Sequence, residues 1–438
     1  MNIPIYYWST MNEEDRNRIF SRSESDITSV LPGVKTIIDQ VKTQGDVALR
    51  SLSKTYDQAS FDHLPLKVTD EEFIQAEQTL SLDVKEALDY AIENVWKFHE
   101  GQKPKSMEFH QIRPGILAGE RARPIQSVGL YVPRGRGSFP SMLYMLAIPA
   151  KIAGVPNISI ITPPGPKGEI DSACLYAAAK IGVRTIYRVG GAHGIAALAY
   201  GTESIPKALK VIGPGSIYVT AAKRLLSDIL DPGLPAGPSE SILWSDGSGN
   251  PHNLALDLLI EAEHGADSSA LLVTESDQLA KQIASILPAM VKATPEPRRT
   301  FLHQVFSDQG YGGIMVTQNQ EESADLINTY APEHLSIQTS NPWDAAELIS
   351  NAGEILLGSH LPFSAANYLT GANAVLPTGA KAKSWSGVSV RDFISYSSIV
   401  QVTEKGYQDL KNHVIALAEY EGFPSHAAAL SNRQSPNN

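Results

Sequence analysis

The sequence predicts an α/β fold of two modules with smaller helical pieces at either end. Three observations carry that expectation. The first third is helical in pattern, the pattern switches near Ser127 to short apolar runs alternating with helical stretches, and a second alternating block runs from about Ser241 to Leu357. Strands that alternate with helices pack as a mostly parallel sheet covered by helices.

Spacing justifies each element in turn. Val34, Ile37, Ile38 and Val41, then Ala48, Leu49 and Leu52, recur at helical intervals, as do Val84, Ala87, Leu88, Ala91, Ile92 and Val95. Past Ser127, the runs Val128–Val132, Ile158–Ile161 and Thr185–Val189 read as strands, each followed by a helix: Met142–Ala153, Ile170–Ile181 and Ile195–Tyr200. Gly and Pro punctuate the strand ends, as in Pro163-Pro164-Gly165 and Gly213-Pro214-Gly215. In the second block Ala270–Thr274, Gly313–Val316 and Glu354–Leu357 read as strands. The last fifty residues carry a helical stretch near Tyr407–Tyr420 and a polar end, Ser431–Asn438.

A chain of 438 residues is too long for one ordinary core, and 42% hydrophobic with 19% charged residues is a globular balance. The net charge of -11 argues against nucleic acid or an anionic membrane as the main partner. The single cysteine, Cys174, excludes an intrachain disulfide and a thiolate metal cluster. No apolar run approaches the roughly 20 residues that span a bilayer. Met1–Thr10 lacks a secretory pattern, so a cytoplasmic enzyme is expected. No G-x-G-x-x-G follows a strand and no Walker A sequence occurs, so periodicity alone names no dinucleotide.

Four constellations carry possible chemistry. Glu261 and His264 stand three residues apart at the end of a helical stretch, so they share a face and can reach one divalent cation. The alternative is a helix-end ion pair. Pro332-Glu333-His334 sets an acid and a base at the start of a strand-like run, Leu335–Thr339, where a histidine can act as general base. A capping carboxylate beside a packed histidine is the bland reading. Glu421 and His426 follow the last helix, where a polar tail is the simpler account. Arg134 and Arg136 lie on a Gly-rich turn after the strand Val128–Val132, a ready anion site or a solvated basic loop. The remaining histidines read as surface or packing residues.

Taken in order, these pieces resemble the histidinol dehydrogenase family over about Asp26 to Arg433. The resemblance is carried by Ser127-Val-Gly-Leu-Tyr-Val-Pro133, Val189-Gly-Gly-Ala192, Ala197-Leu-Ala-Tyr-Gly-Thr-Glu203, Gly213-Pro-Gly215 and Pro235-Ala-Gly-Pro-Ser-Glu240. It continues through Ala262-Glu-His-Gly265, Pro332-Glu-His-Leu335 and Val375-Leu-Pro-Thr378. The resemblance implies two incomplete Rossmann-like domains with small N- and C-terminal appendages. Its expected division is an N-terminal segment 1–25, a substrate and metal domain 26–127 plus 240–385, an NAD domain 128–239, and a helical segment 386–438 swapped onto the partner of a homodimer. It implies zinc, and NAD that accepts two hydrides as a primary alcohol passes through an aldehyde to a carboxylate. Glu333 and His334 match the proton-transfer pair. Glu261, His264, Asn367 and His426 match the metal set, and Tyr131, His193 and Ser216 the dinucleotide contacts. Ser141, Ser239 and Glu421, with Arg134, Arg136 and Phe363, fall at substrate-facing positions.

The departures from the family pattern are informative. Its metal set has Gln, His, Asp and His, whereas Glu261 and Asn367 here exchange amide and carboxylate, so the summed ligand charge is unchanged. In histidinol dehydrogenases two carboxylates face the substrate ammonium; those positions hold Asn367 and Phe363 here. An amine would lose both partners, which is costly in a buried pocket. The histidine before the Val-Leu-Pro run is Ala374, and the loop after Val132 gains Arg134 and Arg136. On the dinucleotide side, His193 and Ser216 replace Gln and Asn. This charge pattern resembles the branch that oxidises 2,3-dihydroxypropane-1-sulfonate to sulfolactate. The expectation is therefore a small anionic primary alcohol as substrate. Histidinol oxidation with an altered pocket is the first alternative and a non-catalytic binding paralogue the second.

Overall fold

The structure, a computed structural model, describes residues 1–22, 27–61, 63–134 and 137–434. The chain divides into two compact units, Met1–Gln102 with Ile125–Phe393, and Lys103–Pro124 with Ile394–Asn438. In chain order the strands are β1 (Ile5–Tyr7), β2 (Met107–Arg113), β3 (Ile116–Pro124), β4 (Ser127–Tyr131), β5 (Asn157–Thr162), β6 (Ile186–Arg188) and β7 (Lys210–Ile212). They continue as β8 (Glu240–Trp244), β9 (Ser269–Thr274), β10 (Gly313–Val316), β11 (His334–Ile337), β12 (Glu354–Leu357) and β13 (Ile394–Val402).

The first unit contains two parallel sheets, the α/β architecture the alternating pattern predicts. The larger has the order β1-β10-β9-β8-β11-β12 and the smaller β6-β5-β4-β7. Every residue of β8, β9, β10 and β11 is buried. Such strands are apolar on both faces because helices cover both. β1 lies within the segment 1–25 yet pairs in parallel with β10, Ile5 opposite Ile314, so the N-terminus is an edge strand of the large sheet.

The expected grouping of 26–127 with 240–385 needs correction. Helix Leu31–Leu52 packs Val34, Ile38, Val41 and Leu49 against Ile195, Leu198 and Ala222, helices beside the smaller sheet. Asp89, on helix Leu82–Glu100, accepts hydrogen bonds from Tyr176 and Lys180 of helix Ser172–Ile181. The apolar stripes of these early helices thus complete the core of the smaller sheet.

In the second unit β3 pairs antiparallel with β2 on one side and with β13 on the other. Helices Glu404–Tyr420 and Pro424–Ser431 complete it. The segment expected to be helical therefore contains a strand, β13, ahead of its two helices. All seven residues of β2 are exposed, so no buried face imposed the alternation that marks a strand in sequence. Among the described residues no helix is long and apolar enough to cross a membrane.

Candidate functional site

The N-terminal ends of β8, β11 and β12 gather most of the expected chemistry. Helix Pro251–Ala262 starts where the Asn250 side chain accepts from the amides of His252 and Asn253, with Pro251 preset for the first turn. Its last turn carries Glu261, which is fully buried. His264 follows, its Nδ1 3.1 Å from Glu261 Oε2 and 2.8 Å from Ser239 Oγ. From helix Phe363–Tyr368, Asn367 Nδ2 donates to Glu261 Oε1 at 2.6 Å. Glu261, His264, Asn367 and Ser239 therefore converge.

The donor chemistry fits a divalent cation. Asn367 Oδ1 is a buried acceptor without a hydrogen-bond partner, and Glu261 Oε2 is buried with the His264 ring nitrogen 3.1 Å away; a buried acceptor left unspent costs free energy unless something occupies it. Two such oxygens beside an imidazole suit zinc. Among the described residues no group of three or more His, Cys, Asp or Glu is arranged to hold a metal, because the third donor here is an amide. Burial pushes the Glu261 carboxyl up, but His264 and His334 more than offset this and hold it at about 2.

The acid–base pair owes its position to an abrupt turn. Helix Gln320–Tyr330 ends at Ala331, a non-glycine residue at φ 52°, and Pro332 cannot continue it. The chain then runs directly into β11. Glu333 Oε2 accepts from the Glu240 amide at 3.0 Å, and its Oε1 lies 3.7 Å from His334 Nε2. The other ring nitrogen, Nδ1, is 2.5 Å from Glu354 Oε1. Burial raises the Glu333 carboxyl well above its ordinary value. Burial alone would lower the His334 imidazole, but Glu261, Glu333 and Glu354 together raise it to about 10.

Glu354 was not singled out by sequence. The available signal was a carboxylate at the start of an otherwise apolar strand. Nothing local says which strand lies beside it.

Other expected site residues fall differently. Phe363 is fully buried, its ring edge-on to His334 with centroids 6.1 Å apart. It packs against the base and offers little open substrate-facing surface. Arg134 Nη1 donates to the Glu169 carbonyl at 2.8 Å, and its Nη2 is 3.5 Å from the Glu169 carboxylate. The expected anion site is thus partly neutralised from within, by a residue 35 positions away. Arg136 lies outside the described residues. Ser141 is half-buried in the first turn of helix Pro140–Ala153. Glu421 and His426 are exposed on the second unit.

Tyr131 ends β4, and His193 and Ser216 follow β6 and β7, all at the carboxyl edge of the smaller sheet, the customary ligand edge of an open α/β sheet. Tyr131 Oη accepts from the Gly191 amide at 3.3 Å. Ser216 is exposed at the N-terminus of helix Ile217–Leu225. His193 departs from expectation: it is 1% exposed, with Nε2 3.3 Å from Ser53 Oγ and 3.2 Å from Asp57 Oδ2. Helical phase turns it into the core, where Ser53 and Asp57 stand beside its Nε2.

Comparison with known proteins matches residues 20–434 to the family model described as histidinol dehydrogenase. A histidinol dehydrogenase homolog of Rhizobium meliloti (strain 1021) is 47% identical over 98% of this chain and 94% of its own length. The histidinol dehydrogenase of Synechocystis sp. is 46% identical over 97% of this chain and 98% of its own. Among solved structures, the histidinol dehydrogenase of Elizabethkingia anophelis superposes with a TM-score of 0.91 at 33% identity, covering 98% of this chain and 97% of that one.

Proposed function

Because the chain belongs to the histidinol dehydrogenase family, NAD-dependent oxidoreductases acting on CH–OH donors, we propose that it oxidises a small anionic primary alcohol through the aldehyde to the carboxylate. The preferred substrate is 2,3-dihydroxypropane-1-sulfonate. The observation that carries the chemistry is the proton-transfer pair Glu333–His334 beside the Glu261–His264–Asn367 donor cluster.

Glu261, His264 and Asn367, with His426 of the partner subunit, would hold zinc, which when bound polarises the alcohol oxygen. NAD supplies the hydride acceptor, with Tyr131, Ser216 and the His193 helix on its side of the fold. With a cation held at Glu261 to offset the carboxylates that raise His334, its Nε2 takes the hydroxyl proton in the first oxidation. Glu333 takes a proton from the water that adds to the aldehyde, and His334 serves again in the second oxidation. Ser239 orients His264 through the 2.8 Å contact. The homodimer, with Glu421 and His426 completing the partner's site, and a cytoplasmic location belong to the same reading.

The anionic substrate is supported by what stands at the two amine-facing positions. Phe363 is a buried ring and Asn367 an amide already spent on Glu261. Of the carboxylates at the site, Glu261 is engaged by His264 and Glu354 by His334, while Glu333 accepts from the Glu240 amide and faces His334 Nε2. An ammonium group would lack a carboxylate free of other engagement, whereas a sulfonate would look instead to hydrogen-bond donors and to a cation held in the site. Arg134 contributes less than its sequence position suggested, because Glu169 holds it. Histidinol is the second reading, favoured by the 46% identity to the Synechocystis protein of that name.

The test is NADH formation by the zinc-loaded protein with the sulfonate and L-histidinol side by side. Turnover of the sulfonate with silence on histidinol supports the reading, and turnover of histidinol alone overturns it.

A further inference from the structure

We propose that Glu354 is a positioning residue for this reaction, fixing the ring of His334 so that Nε2 faces the reacting alcohol. The inference rests on the reading of His334 as the proton-transfer base.

The backbone provides the first argument. β11 and β12 are parallel neighbours, and their register sets His334 directly opposite Glu354. Paired residues of adjacent strands project to the same face of a sheet. The close approach requires glycine immediately before: a Cβ at Gly353 would lie 2.5 Å from the Glu333 carbonyl oxygen. The Gly353 amide donates to the Pro332 carbonyl and the Glu354 amide to the Glu333 carbonyl, at 2.9 and 3.0 Å. The segment carrying the carboxylate is thus stitched to the segment carrying the base.

The side chains provide the second. Glu354 Oε1 sits 2.5 Å from His334 Nδ1. Its Oε2 is buried with no hydrogen-bond partner. Among the described residues no Lys or Arg pairs with it; its ion-pair partner is His334. A carboxylate sunk to 8% side-chain exposure without a second partner has no other visible duty. Facing an imidazole at Nδ1, it stabilises the N–H there and leaves Nε2 as the nitrogen that exchanges the substrate proton. Nε2 is the atom near Glu333, so one carboxylate sits at each end of the ring with a different task. Phe363, edge-on to the imidazole, limits tilting of the ring.

The experiment compares Glu354→Gln, Glu354→Ala and His334→Asn in the zinc-loaded enzyme, on whichever alcohol the native protein turns over. Glu354→Gln should lower kcat by about 100-fold with KM changed by no more than about twofold, the pattern of an interaction that matters in the transition state. Formate should restore part of the activity of Glu354→Ala and none of that of His334→Asn. A residue needed only for packing would not respond to a small carboxylate. Native kcat in Glu354→Gln alongside an inactive His334→Asn overturns the inference and leaves the proposed function standing. Native activity in His334→Asn overturns the proposed role of the histidine itself. If the Glu354 variants do not fold, the proton NMR spectrum of the native protein decides. A far-downfield imidazole proton that disappears in His334→Asn is expected, and its absence overturns the inference.

Discussion

Exchanging the amide and carboxylate at the donor cluster tests its chemistry in the metal-free protein. Asn367→Asp would set a carboxylate oxygen where Nδ2 now stands, 2.6 Å from Glu261 Oε1. At that separation two unit charges repel by about 6 kcal/mol in an effective dielectric of about 20. The introduced carboxyl can escape by taking a proton, which at pH 7 costs about 4 kcal/mol from an ordinary pKa of about 3.9. The smaller cost prevails, so the metal-free variant should lose about 4 kcal/mol at pH 7, on the order of 5–10 °C in Tm. An acid whose folded pKa is raised loses stability above its unfolded pKa and regains it below. The deficit should therefore shrink toward zero as pH falls to about 4. Zinc should narrow it too, because a cation between the two carboxylates removes the repulsion. The double variant Glu261→Gln/Asn367→Asp restores one amide and one carboxylate and should melt near the parent. The assay is thermal unfolding after chelation, at pH 7 and pH 4, with and without zinc. If metal-free Asn367→Asp melts with the parent at pH 7, the two side chains are not in contact and the charge-compensation argument fails.

Three further outcomes are expected. Glu333→Gln should slow oxidation of the aldehyde by about 100-fold or more while slowing alcohol oxidation far less, read by supplying each compound separately and following NADH. Arg22→Met should destabilise the protein by about 3–5 kcal/mol, because it removes the cation that pairs with the fully buried Glu240 carboxylate at 2.9 Å; adding Glu240→Gln should recover much of that in denaturant unfolding. His99 is buried, with Nδ1 2.8 Å from the Val95 carbonyl and Nε2 3.1 Å from Asn373 Nδ2, and burial lowers its pKa. A histidine kept neutral in the fold contributes stability that is full above the unfolded pKa of about 6.5 and lost below it, at up to about 1.4 kcal/mol per pH unit. His99→Gln should flatten that slope in Tm measured from pH 8 to pH 5.

Much of this molecule was legible in the residues. Strands such as Ala270–Thr274 and Gly313–Val316 announce themselves because burial on both faces demands continuous apolar runs. Glu261 and His264 were legible as a pair because a three-residue step at the helix end, closed by the His264 amide on the Glu261 carbonyl, brings them together whatever surrounds them. What escaped is non-local. The partnership of His334 with Glu354 depends on which strands become neighbours, and that of Arg134 with Glu169 on a loop returning past a strand end. His193 is expected among the dinucleotide contacts, yet the phase of its helix turns it onto Ser53 and Asp57. β2 of the second unit escaped because exposure along its whole length leaves no pattern to read. Ile5–Tyr7 is too short to carry a periodicity at all.

The pairing of His334 with Glu354 through strand register makes their alignment discrete rather than continuous. A β12 slipped by one residue would turn the carboxylate to the opposite face, so intermediate geometries have no backbone to support them. Mutations elsewhere in the sheet can weaken the fold, yet while the ladder persists residues 334 and 354 stay opposite one another. The side chain at position 354, by contrast, can change while the ladder persists. Chemistry at this histidine is therefore adjustable by single substitutions on a scaffold that resists gradual drift.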